Sequence, residues 1–122
     1  MKLAITATGE DLKSNCDGRF GRCSFFVIVD PDSLEYEAIR NSSRKARSGA
    51  GIQAAETLAG TGADAVATGN VGPNAFNALD SAGLNIYTGA SGTVEEVVES
   101  FKNDELTQAN EPTASGGAGR KN

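Results

Sequence analysis

Two short runs, residues 3–7 and 25–29, are apolar at nearly every position, as in strands covered on both faces. A turn at Pro31-Asp32-Ser33 separates the second from residues 34–38, whose alternation predicts a half-exposed edge strand. Ile52, Ala55 and Ala59 then recur at helical spacing over about 49–58, and Gly60-Thr61-Gly62 is a stop signal. Residues 63–67 form a small-residue strand. Pro73 suits the first turn of a helix that carries Phe76 and Leu79 on its apolar face and stops at Gly83. A last strand covers 84–87. Thr93-Val94-Glu95-Glu96 is a capping box, and Val94, Val97, Val98 and Phe101 line one face of the final helix. Beyond Leu106 the chain has little to bury, so 1–106 reads as the single folded domain and 107–122 as a disordered tail.

The order β-β-β-α-β-α-β-α predicts an α/β fold of three layers. It has a five-stranded mixed sheet, with the later strands parallel to the first and helices on both faces. If the second strand is antiparallel to the first, loops 9–24, 40–50, 68–74 and 88–93 all emerge at one edge. That is the carboxyl edge of the parallel strands, where ligands of open α/β sheets sit.

Composition narrows the function. The 122 residues are 39% hydrophobic but only 6% aromatic, with 15 glycines, enough for a core built from small side chains. No apolar run approaches membrane-spanning length, and Met1-Lys2 leads straight into a strand without a signal peptide, so a cytoplasmic location is expected. The net charge of −5 argues against nucleic acid. Histidine is absent, which removes the commonest general base and metal ligand. No nucleophile–base pair or catalytic carboxylate couple stands out, so an enzyme is not expected.

Charge is distributed unevenly. Lys13, Arg19, Arg22, Arg40, Arg44, Lys45 and Arg47, seven of eleven basic residues, lie in the first two of those loops. Only Glu10, Asp11 and Asp17 of sixteen acids join them. A local positive field on an acidic chain suits a small anion; a merely solvated loop is the other reading. The first loop offers Lys13, Asn15, Arg19, Phe20, Gly21, Arg22 and Phe25 as candidates. Its arginine forks sit on a glycine-flexed turn, with the phenylalanines as an apolar wall. Asn41, Arg44 and Arg47 come from the second loop. Gly69, Asn70 and Gly72 come from the third, and Gly89, Ser91 and Thr93 from the fourth; both lie between a strand and a helix and offer unpaired N–H groups to an anion. Gly49-Ala50-Gly51-Ile52-Gln53-Ala54 imitates a dinucleotide-binding fingerprint, but no strand leads tightly into it.

Cys16 and Cys23, with six residues between them, match no zinc or redox spacing. Three readings stay open: a disulfide, two thiolate ligands to a soft metal such as Cu(I), or one buried residue and one loop thiol. Nearby arginines are expected to lower their pKa values.

The Gly21-Arg22-Cys23-Ser24-Phe25-Phe26 lead-in to the second strand, Asn41, Gly49 with Gly51, the Gly69-x-x-Gly72-Pro73-x-Ala75 segment and the Thr93-Val94-Glu95-Glu96 helix start occur in an order that resembles the dinitrogenase iron–molybdenum cofactor biosynthesis family, its orange-protein branch above all. The resemblance covers about residues 1–106. It implies a ribonuclease-H-like fold without nuclease activity and non-covalent binding of an anionic molybdenum-containing sulfide cluster. In the orange-protein branch this is a molybdenum–copper cluster, and P-loop ATPases are implied as partners. Some relatives use a histidine near the cluster; this chain has none. The expected function is therefore a binding module or carrier for an anionic metal–sulfur cluster. The alternatives are an adaptor domain that docks a protein partner through the same basic edge, or a small redox protein working through Cys16 and Cys23.

Overall fold

The computed structural model describes residues 1–114. Its elements are β1 (Leu3–Ala7), a 3₁₀ turn (Phe20–Arg22), β2 (Phe25–Val29), β3 (Tyr36–Arg40), α1 (Ala50–Ala59), β4 (Ala65–Ala67), α2 (Pro73–Ser81), β5 (Asn85–Thr88), α3 (Val94–Lys102) and β6 (Thr107–Gln108). They form one mixed sheet in the order β3-β2-β1-β4-β5-β6. β2 is antiparallel to β1, with Leu3 opposite Val29 and Ala7 opposite Phe25, while β4 and β5 run parallel to β1.

The two-residue alternation of the strands sorts their side chains into two cores. Ala4, Phe26, Ile28, Val66 and Ile86 point towards α1 and α2, where Ala54, Ala55, Leu58, Phe76 and Leu79 meet them. Leu3, Ile5, Val27, Val29 and Ala67 point the other way, against Val94, Val97 and Val98 of α3. The central strands are buried on both faces, which explains their unbroken apolar runs.

Three expectations are corrected. The edge strand starts at Tyr36 rather than residue 34, because Asp30 Oδ1 accepts hydrogen bonds from the N–H groups of Asp32 and Ser33 and lengthens the hairpin turn. Leu34, at φ 65°, completes that turn and stays exposed. The buried face of α1 is Ala50, Ala54, Ala55 and Leu58, whereas Ile52 and Ala59 are exposed. The sheet has six strands instead of five: Thr107 and Gln108, assigned by sequence to the tail, pair antiparallel with Thr88 and Tyr87. This strand is held by backbone bonds with both residues exposed, so hydrophobic patterning carried no trace of it. Residues 109–114 continue along the domain surface, and the rest of the expected tail, 115–122, lies outside the described residues.

Candidate anion-binding cleft

Glycine contacts assemble the site. The loop after β1 crosses the carboxyl edge of the sheet, where Asn70 N donates to Gly18 O at 3.0 Å. A Cβ on Gly69 would lie 2.7 Å from Gly18 Cα, so only glycine allows this approach. Gly21 of the 3₁₀ turn sits against the start of α1, and a Cβ there would come within 2.9 Å of Gly51 N. A Cβ on Gly51 would in turn lie 2.9 Å from Ala75 Cβ of α2. The 3₁₀ turn and the first turns of α1 and α2 thus converge on a cleft of about 550 Å³.

Both helix starts open into it. Gly49 caps α1 at φ 74° and Gly72 caps α2, neither offering a side chain to the first-turn N–H groups. Neither helix carries an acid in its first turn. The amides of Ala50, Gly51 and Ile52, and of Asn74 and Ala75, precede the first intrahelical donors, Gln53 and Phe76. Arg19, Phe20 and Arg22 form a second wall, Asn70 and Pro73 a third, and Ala114 closes one side. Among the described residues no acidic side chain lines the cleft, although the chain has sixteen. The arrangement presents amide dipoles, a guanidinium and apolar surface together.

The charged candidates divide by role. Arg19 is held by Asp17 through Nε to Oδ1 at 3.2 Å and Nη2 to Oδ2 at 3.1 Å, and its side chain remains 69% exposed. Burial of Asp17 favours its neutral form, but the hydrogen bonds and charge of Arg19, with the field of Arg44, outweigh this and hold the carboxyl below its usual range. Arg22 Nη1 donates to the carbonyls of Arg44 and Ala46 at 2.9 and 2.7 Å, tying the 41–47 loop to the 3₁₀ turn. Arg44, Lys45 and Arg47 are exposed on that loop outside the cleft, as an outer field. Asn41 is buried; its Nδ2 donates to Gly21 O and Cys23 O, and its Oδ1 accepts from Ser43 N and Oγ. It braces the turn and does not reach the cleft. Phe20 is buried against Phe26 at 5.9 Å, whereas Phe25 lies under the Arg40 guanidinium, away from the cleft.

The fourth loop lies elsewhere. Thr93 caps α3 with Glu96, while Val94 N donates to Ser14 O and Glu95 N to Leu12 O. Cys16 N donates to Gly92 O and Gly89 N to Gly69 O. Asn15 bridges to Thr93, and Lys13 Nζ lies 2.7 Å from Glu95 Oε1. Lys13, Asn15, Gly89, Ser91 and Thr93 therefore stand outside the cleft, at a helix end whose donors the first loop already uses.

The thiols are also separated. Both are free, with Cys23 in the core under α1 and α2 and Cys16 packed on the core under α3. Sitting on opposite sides of the sheet, they neither form a disulfide nor jointly ligate one ion. Burial pushes Cys23 up to about 12, helped by the Asp17 charge, and burial also raises Cys16, so the expected lowering by arginine is reversed. Among the described residues no group of three or more His, Cys, Asp or Glu is placed to hold a metal ion.

Sequence reasoning missed Gly49 through Ile52 and Asn74 as parts of the cleft, along with Ala114. The Gly49-Ala50-Gly51 segment was the available signal, and it is an uncapped helix start on the cleft wall that follows a loop rather than a strand. The missing strand context had argued against nucleotides, not against anions.

Comparison with known proteins follows the same lines. The chain is similar to the orange protein of Desulfovibrio gigas, whose structure was solved in its apo form. The two are 39% identical, with a TM-score of 0.89 over 93% of this chain and 96% of the other. It is also similar to a putative NifB protein of Thermotoga, at 33% identity and a TM-score of 0.81 over 94% and 98% of the two chains. An uncharacterized protein of Methanocaldococcus jannaschii is 28% identical over 109 residues, which is 87% of this chain and 89% of the relative. The family model described as dinitrogenase iron-molybdenum cofactor matches residues 1–104, and the chain belongs to that family.

Proposed function

We propose that the chain binds and carries an anionic, molybdenum-containing metal–sulfur cluster in the cleft between the first turns of α1 and α2, without a covalent bond. The observation that carries this reading is the convergence of two uncapped, acid-free helix N-termini on one cavity. The site chemistry fits the group. Backbone N–H groups and Arg19 meet the negative charge, and Phe20 and Ile52 give sulfide an apolar wall. In this reading electrostatics rather than thiolate ligation holds the cluster: Cys23 is buried in the core and its Sγ already donates to Phe20 O. A molybdenum–copper composition and a ribonuclease-H-like classification of the sheet belong to the same reading. It describes a carrier rather than an enzyme: the chain has no histidine, and no carboxylate lines the cleft to act as a base.

Titration of the protein with tetrathiomolybdate, alone and with Cu(I), followed by absorbance, tests the proposal. Asn74 is exposed at the second position of α2, so Asn74→Asp adds charge with almost no change of shape. Its affinity should fall by about tenfold, or ~1.4 kcal/mol. The same change should leave the fold as stable or slightly more so, because acids favour helix N-termini. Equal affinity in wild type and variant would move the site elsewhere.

A further inference from the structure

Val71 precedes the cap of α2, and both of its backbone polar groups are claimed by one segment 42 positions away. Its N–H donates to Thr113 Oγ1 at 2.9 Å. Its carbonyl accepts from Thr113 N at 2.9 Å and from Ala114 N at 3.0 Å. The chain arrives there as a strap. β6 pairs with β5, Ala109 N donates to Ile86 O at 2.8 Å, and Ala114 ends on the cleft wall. Burial does not explain this path: only Ala109 packs on the core, while Thr113 and Ala114 are exposed. The bonds instead fix Val71, and Val71 fixes Gly72 and the open amides of Asn74 and Ala75.

We infer that the strap 109–114 is a built part of the anion cleft and that Thr113 is its positioning residue, whose hydroxyl holds the Val71 peptide so that the first turn of α2 faces the ligand. This rests on the anion reading of the cleft. A buried valine N–H left without its acceptor must find water or turn, and either outcome loosens the hold on the Asn70–Gly72 segment. The hydroxyl is the working group: serine retains the acceptor, and valine keeps the shape of threonine without it.

The test uses the full chain as wild type, Thr113→Val and Thr113→Ser. Amide hydrogen exchange without ligand reads the clip itself. Exchange at the bonded amides of Val71, Asn70 and Phe76 should accelerate about tenfold in Thr113→Val and return in Thr113→Ser. Tetrathiomolybdate affinity, measured well below the melting temperature, should fall about tenfold in Thr113→Val and recover in Thr113→Ser. A lower melting temperature with unchanged anion affinity would reduce the strap to a structural role and overturn the inference. Unchanged exchange at Val71 overturns it whatever the ligand does. If wild type itself takes up no tetrathiomolybdate, the anion reading fails. The exchange data then decide the positioning claim separately, supported by acceleration at Asn70 and Phe76 and overturned by its absence.

Discussion

The three helices begin at the same edge of the sheet, yet one start is closed and two are open. α3 carries Glu95 and Glu96 in its first turn, a reciprocal Thr93–Glu96 cap, and first-turn amides bonded to the carbonyls of Ser14 and Leu12. α1 and α2 begin at glycines, with no capping side chain and no acid. A glycine cap forgoes only a few tenths of a kcal/mol relative to such a side chain, a small cost that falls on both helices where they meet across a cavity. Unspent donors at a site free of acids are what an anion requires. The same backbone geometry is thus closed at α3 and left open at α1 and α2.

The strongest way to break the open pair is to separate the loop from the turn before α2. Gly69→Ala places a methyl against the Gly18 backbone, which has no flexible end to yield, and should cost about 2–3 kcal/mol in urea unfolding. An unaltered midpoint would show that the close approach is not needed.

Next in size is the thiol behind the cleft. Cys23 Sγ donates to Phe20 O, and its pKa stands at about 12. The unfolded thiol loses its proton near 8.5–9, so between there and 12 the unfolded state binds fewer protons and stability falls as pH rises. The loss should reach about 2 kcal/mol near pH 10.5, and Cys23→Ala should abolish that slope. A slope centred near neutral pH would instead mean that Cys23 is a thiolate in the folded chain.

At the closed end, Thr93→Ala should cost about 1 kcal/mol of stability and leave tetrathiomolybdate affinity unchanged. Lys13→Gln, which breaks an exposed pair with Glu95, should alter neither quantity measurably. An affinity loss from either variant would extend the binding site to α3 and erase the distinction between the ends.

Periodicity and capping chemistry were sufficient for most of the framework. The apolar runs of β1 and β2, the Phe76 and Leu79 face of α2 and the Thr93 box of α3 are local signals, each carried by a few neighbouring residues. They establish an α/β sheet and the edge at which its loops collect. Arg19, Phe20, Gly21, Arg22, Asn70 and Gly72 were candidates on sequence and do line the cleft. Sequence could not tell an open helix start from a closed one, because that depends on which distant carbonyl reaches the amides. Ser14 and Leu12 close α3 across some eighty positions, and among the described residues nothing does so for α1 or α2. Nor could it tell that Asn41 faces inward, that Cys16 and Cys23 lie on opposite sides of one sheet, or that Thr113 returns to Val71. Local composition specifies which residues can bond; only the tertiary fold decides which donors are already spent.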